Sequence, residues 1–189
     1  EAVPAGEGAM AALLGLEADA VREACAEAAQ GDVVEAANLN APGQIVIAGS
    51  KAAVERAVEV AKAKGAKRAV LLPVSAPFHC ALMRPAAERL AERLAGVEIA
   101  VPQIDVLNNV DVAVYGEPDR IRDALVRQAF SPVRWIETVQ DMARRGMSHV
   151  IECGPGKVLA GMSKRIAKEV EGGSAHDAAS LEQSIAAVR

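Results

Sequence analysis

From residue 9 to residue 74 the chain alternates runs of strand length with stretches of helical period, and the order of that alternation leaves few folds open. AMAALLG (9–15) is a short apolar run bounded by glycines, and EADAVREACAEAAQ (17–30) is built of helix formers with Gly31 as its stop. VVEAANLN (33–40) and IVIAGS (45–50) are β-rich and are joined by APGQ, a Pro-Gly turn. In KAAVERAVEVAKAK (51–64), Val54, Ala57, Val58 and Ala61 recur at i, i+3, i+4 and i+7, and Gly65 ends the helix. RAVLLPV (68–74) closes the set as a strand. The order β-α-β-β-α-β is the split βαβ pattern of a ferredoxin-like module.

Beyond residue 76 the pattern changes to helices alternating with strands. RPAAERLAERLAG (84–96) places Ala86, Ala87, Leu90 and Leu94 on one face, which predicts an amphipathic helix. IDVLNNV (104–110) reads as a strand, and DRIRDALVRQAF (119–130) as a helix that Pro132 stops. SPVRWIETVQDMARRG (131–146) predicts a helix with Ser131 as N-cap and Pro132 at its first position. HVIECGPGKVLAGMSKRIAKEV (149–170) reads strand, glycine turn, helix. This is an α/β layer architecture. It has two convincing strands in over 100 residues, so the strands that should flank them are expected to lie elsewhere.

The composition narrows the class. With 51% hydrophobic and 24% charged residues, 189 residues can bury an ordinary core. No apolar run approaches the roughly 20 residues of a membrane span, and EAVPAGEGAM has no signal-peptide character, so a cytoplasmic protein without membrane contact is expected. Cys25, Cys80 and Cys153 are odd in number and lack any CxxC pair, which argues against a disulfide framework and against a structural metal site. Aromatic residues make up only 2%, too few for base stacking, so nucleic acid is not an expected partner. Residues 119–168 hold 10 Lys/Arg against 5 Asp/Glu on a chain whose net charge is −4. An anionic partner and a set of merely solvated helix faces both fit that asymmetry.

The residues that suggest chemistry begin with SAPFHCALM (75–83). His79 follows a strand and precedes a helix, where α/β sheets place their ligands, and Pro77 and Phe78 stiffen and shield the turn. A base is the reading for His79; His149 and His176 have no such setting. A catalytic imidazole needs an acceptor on its other nitrogen. Gln128 continues the apolar stripe Ile121, Ala124, Leu125 to the end of its helix, where the last carbonyls lack partners. Either its side chain or its carbonyl could accept from a histidine, or it is an ordinary boundary residue. ECGPGK (152–157) is not a P-loop and reads as a structural turn. The amides of NLNAPGQ (38–44) ordinarily serve their own turn, and Lys67 with Arg68 is a basic pair at a strand entrance. None of the eight serines lies in a GxSxG elbow, so the chain holds a base without an evident nucleophile.

These segments together resemble the C-terminal part of the bacterial malonyl-CoA:acyl carrier protein transacylases. GAMAALLGL, NLNAPGQIVIAGS, GAKRAVLLPVSAPFHCALM, VLNNVD, IRDALVRQ, SPVRW and ECGPGKVLAGMSKRI all look like family segments in family order. The resemblance implies an α/β fold with an α+β insert: a ferredoxin-like βαββαβ subdomain at 9–76, preceded by a connection at 1–8 and followed by the C-terminal part of a hydrolase-like acyltransferase core at 77–189. It implies transfer of a malonyl group from malonyl-CoA to acyl carrier protein through a serine ester, with no cofactor. His79 matches the family's base, and Gln128 the residue whose main-chain carbonyl orients it. Asn38, Asn40, Gln44, Lys67 and Arg68 match positions lining the CoA side of the cleft. Phe78, beside the base, is expected to help select malonyl over α-methylated groups. The GHSLG-type serine belongs to an N-terminal portion that the chain lacks; that portion is an expected partner, and the chain alone is expected to be inactive. A serine hydrolase fragment and a non-catalytic ferredoxin-like ligand-binding module are the alternatives.

Overall fold

Strands β1 (Gly8–Leu14), β2 (Val34–Ala41), β3 (Gln44–Ser50) and β4 (Arg68–Leu71) form one antiparallel sheet in the order β2-β3-β1-β4. That order, with helices α1 (Ala18–Ala29) and α2 (Lys51–Ala63) in the connections, is the ferredoxin-like arrangement expected from the periodicity. The computed structural model describes residues 2–4 and 6–188. The chain divides into two compact units, Glu1–Trp135 and Ile136–Arg189.

Within the first unit the helical period decides which residues are buried. Val21, Ala24 and Ala28 of α1 and Val54, Ala57 and Ala61 of α2 are fully buried against Leu13, Ile45 and Ile47 of the sheet. Alanines let the two helices lie close to the sheet, and each buried Val, Leu or Ile contributes about 1.5–3 kcal/mol. The end of α2 is closed by two bonds, from Gly65 N–H to the Lys62 carbonyl (3.0 Å) and from Ala66 N–H to the Ala61 carbonyl (2.9 Å). These two bonds make a Schellman cap, which stops the helix at the glycine. The opposite sheet face carries Met10, Val46 and Ala48, packed with Ala37 and Cys80.

After β4 a single 3₁₀ turn (Ala81–Met83) leads into α3 (Arg84–Ala95), and α4 spans Pro118–Arg127. Arg122 of α4 donates to the carbonyls of Leu94 (3.0 Å) and Val97 (3.1 Å), satisfying the frayed end of α3. Between the two helices, the segment expected as a strand at 104–110 forms only an isolated bridge, Leu107 with Val114. No neighbouring strand among the described residues pairs with it, and Val101, Ile104 and Val106 stay 64%, 78% and 55% exposed. The helix expected from Ser131 begins instead at Trp135, as α5 (Trp135–Arg144). Val133 N–H donates to the Ala37 carbonyl (2.8 Å) and its carbonyl accepts from Leu39 N–H (2.9 Å), so the edge of β2 holds this residue extended against the helical preference of Ser-Pro.

A knot of polar groups ties the 108–116 turn to α4. Asp111 accepts from Arg127 twice, at 2.9 and 2.6 Å, and from the Tyr115 hydroxyl at 2.8 Å. The bidentate Arg127 guanidinium holds the Asp111 carboxyl down at about 2. Its folded pKa is therefore below the unfolded value near 3.9, so the stabilisation is complete above pH 4 and is lost as pH falls from 4 towards 2. With the Asp111 side chain 28% exposed, screening leaves about 1 kcal/mol. Asp111→Asn should lower the urea midpoint at pH 7 and lose most of that difference by pH 2; a gap undiminished at pH 2 would assign the stability to something other than the ion pair.

The second unit continues with β5 (His149–Cys153), α6 (Val158–Ile166), β6 (Glu171–Ala175) and α7 (Ala178–Ala187). β5 and β6 pair in parallel from His149–Glu171 to Cys153–Ala175. β6, sequence EGGSA, carries no strand propensity and was not expected. Its glycines are needed all the same, because a Cβ on Gly172 would lie 2.3 Å from the Ala160 carbonyl oxygen of α6. Asp177 and Ser180 form a reciprocal capping box that starts α7. Among the described residues no helix is long and apolar enough to cross a membrane.

Candidate active site

The loop after β4 is fixed on both sides of His79. Upstream, Pro77 is buried against Gly8, where any Cβ would come within 2.4 Å of the proline Cδ. Downstream, Cys80 is fully buried with its thiol donating to the Pro77 carbonyl (3.1 Å), and Ala81 N–H donates to the Glu35 carboxylate of β2 (3.0 Å). Between these anchors His79 adopts φ 62°, a left-handed conformation uncommon for a residue other than glycine. Such backbone persists only where the surroundings impose it, and it clusters at functional sites.

In this conformation the His79 Nδ1–H donates to the main-chain carbonyl of Gln128, 2.9 Å away. Gln128 is the C-cap of α4, so this oxygen is one of the helix's unpaired terminal carbonyls and sits at the negative end of its dipole. A carbonyl can only accept. The bond therefore requires the proton on Nδ1 and leaves Nε2 with a lone pair free to take a proton. Of the two acceptors that the sequence offers at Gln128, the carbonyl is the one used.

Phe78, next to His79, is 41% exposed and lines a hollow of about 580 Å³ with Val3, Ser75, Met83, Ala86 and Arg89. Cross-strand registers locate the polar residues of the small sheet. Asn38 pairs with Val46 and Val46 with Ala12, while Gln44 pairs with Leu14 and Leu14 with Arg68. Directly paired residues share a face. Asn38, Gln44 and Arg68 therefore lie on the face that carries Met10, Ala48 and Cys80. Asn40 falls at the register shift between Leu39 and Ala41, and Lys67 is exposed at the entrance to β4, its N–H donating to the Leu14 carbonyl (2.8 Å).

Other candidates are occupied elsewhere. His149 contacts Ser148 (2.9 Å) and Glu171 (3.7 Å), and His176 contacts Ser174 (3.0 Å) and Asp177 (3.4 Å), all within the second unit. The ECGPGK turn does not offer its helix N-terminus to an anion, because the Glu152 carboxylate already accepts from Ala160 N–H (3.0 Å). Burial raises the Cys80 thiol to about 11 and the Cys25 thiol to about 12, which removes both as nucleophiles at neutral pH. Among the described residues no group of three His, Cys, Asp or Glu side chains is arranged to hold a metal. Sequence reasoning did not anticipate Glu35 as an anchor of the His79 loop, nor the Arg84 guanidinium stacked at 4.4 Å on the Phe130 ring beside Gln128. A signal for the latter existed: the chain's two phenylalanines each lie within two residues of His79 or Gln128.

Residues 2–184 match the acyl transferase domain family. The malonyl CoA-acyl carrier protein transacylase of Haemophilus influenzae is 56% identical over 181 residues, which cover 96% of this chain and 58% of the relative. Among solved structures, an acyl carrier protein S-malonyltransferase from Vibrio cholerae superposes with a TM-score of 0.96 at 57% identity, covering 97% of this chain and 60% of that one. A malonyl-transacylase in complex with its type II PKS acyl-carrier protein superposes with a TM-score of 0.96 at 49% identity, covering 98% and 60%. The chain thus spans somewhat under two thirds of the length of these relatives.

Proposed function

The chain belongs to the acyl transferase family, and on that premise we propose that it supplies the base and one side of the cleft for malonyl transfer from malonyl-CoA to the phosphopantetheine thiol of an acyl carrier protein. The observation that carries this reading is the bond from His79 Nδ1–H to the Gln128 carbonyl, which leaves Nε2 as a proton acceptor at the rim of a folded strand-end loop. In the first half-reaction Nε2 takes the proton of a serine hydroxyl as its oxygen attacks the thioester carbonyl. The C–S bond breaks, and the proton passes to the departing CoA sulfur. In the second, Nε2 takes the proton of the carrier's thiol, the sulfur attacks the serine ester, and the serine recovers its proton. The serine belongs to polypeptide outside these 189 residues, a further partner of the chain.

Residues 9–76 then act as the ferredoxin-like subdomain and 77–189 as part of the acyltransferase core. Asn38, Gln44 and Arg68, with Asn40 and Lys67 at the same sheet, border the CoA side, where the two cations suit a phosphate. The test is a protein carrying this chain, given malonyl-CoA and holo carrier protein. Malonyl carrier protein is the expected product; free malonate in its place would overturn the reading in favour of hydrolysis. Phe78→Ser should raise methylmalonyl turnover relative to malonyl by roughly 10–200-fold, the value of one methyl in a pocket. An unchanged ratio would mean that Phe78 does not face the acyl group.

A further inference from the structure

The two halves of the histidine–carbonyl pair are held very differently. His79 is fixed by Gly8 against Pro77, by the buried Cys80 and by the Glu35–Ala81 bond. Gln128 sits at the last turn of α4, where the bonds Ala129 N–H to Val126 (3.2 Å) and Phe130 N–H to Arg127 (3.2 Å) are tightened, and the backbone is next held at Val133, by β2. Such ends open readily unless a side chain ties them down. Arg127, the residue before Gln128, ties this turn to Asp111, and the tie to the segment that carries His79 is Arg84, whose guanidinium carbon lies 4.4 Å from the centroid of the Phe130 ring. Arg84 follows His79 by five residues and Phe130 follows Gln128 by two. The stack and the imidazole–carbonyl bond therefore close one small ring of chain, each end of which is a contact between the same two segments.

We propose that Arg84 and Phe130 are positioning residues that keep the Gln128 carbonyl on His79 Nδ1 and so keep the proton off Nε2. The role rests on the reading of His79 as the base. Arg122 and Arg127 secure α4 through the carbonyls of Leu94 and Val97 and through Asp111, so loss of the stack leaves the helix in place and loosens only the seating of its last turn on the His79 segment. A partly exposed cation–π contact shifts such a local equilibrium by about two- to fivefold.

The experiment needs no substrate. In a protein that carries this chain, ¹⁵N and ¹H NMR read the tautomer of neutral His79 and the solvent exchange of its Nδ1 proton. Phe130→Leu and Arg84→Met should each speed that exchange by about two- to fivefold and populate the Nε2–H tautomer, while Phe130→Tyr and Arg84→Lys, which keep a ring and a cation, should restore the parent behaviour. The Ala81 amide, bonded to Glu35, should exchange as before. Unchanged Nδ1–H exchange in the Leu and Met variants overturns the proposal, and so does an equal acceleration at the Ala81 amide, which would mean general loosening. A failure of the acyl-transfer reading would leave these measurements untouched, so the two can be told apart.

Discussion

In a protein that carries this chain, His79→Ala is expected to lower malonyl transfer to the carrier protein by about 10²–10⁴-fold, the usual contribution of a positioned general base. The His79 φ of 62° complicates the choice of variant, since alanine is poorly suited to the left-handed region and could shift the loop as well as delete the base. His79→Asn separates the effects. Asparagine accepts this backbone conformation far better and keeps a polar side chain, yet it cannot act as a base near neutrality. Both variants should lose transfer to the same extent, measured as the rate of malonyl carrier protein formation. Transfer within tenfold of the parent in the asparagine variant would remove His79 from the mechanism.

The 189-residue chain by itself is expected to acquire no malonyl ester from malonyl-CoA. Six of its eight serine hydroxyls are engaged away from His79: Ser50 with the Val33 carbonyl, Ser148 and Ser174 with other histidines, Ser163 with Leu159, Ser180 with Asp177 and Ser184 with Ser174. Cys25 and Cys80 are held as thiols by burial. If His79 is the base, these engagements leave it without a placed hydroxyl to deprotonate, and the covalent route is expected to stay closed. Incubation with radiolabelled malonyl-CoA, followed by denaturation and peptide mapping, provides the measurement. Label retained on Ser75, Ser131 or a cysteine would name the nucleophile and overturn the expectation; label on a segment added from a longer relative would support it.

The ferredoxin-like unit was legible because its signals are local. The period of α1 and α2, the Pro-Gly hairpin and the Gly65 stop each act within a few residues, and the sheet order follows from connecting them. His79 stood out from its place at a strand end, whereas the helix end at Gln128 left a side-chain acceptor, a carbonyl acceptor and an ordinary boundary residue all open. What was not legible depends on distant partners. Val133 is drawn out of the expected helix start by the edge of β2, 95 residues earlier at Asn38. IDVLNNV has strand composition but no strand beside it among the described residues, and EGGSA is a strand through its pairing with β5, with α6 packed onto Gly172. The Glu35 and Arg84–Phe130 contacts join segments whose proximity no periodicity encodes.

The acceptor for His79 belongs to the main chain, and that makes it invisible to genetics. Every amino acid at position 128 brings the same oxygen, so a survey that truncates side chains one at a time would describe a base with no orienting partner. The oxygen also has no proton to gain or lose across the working pH range.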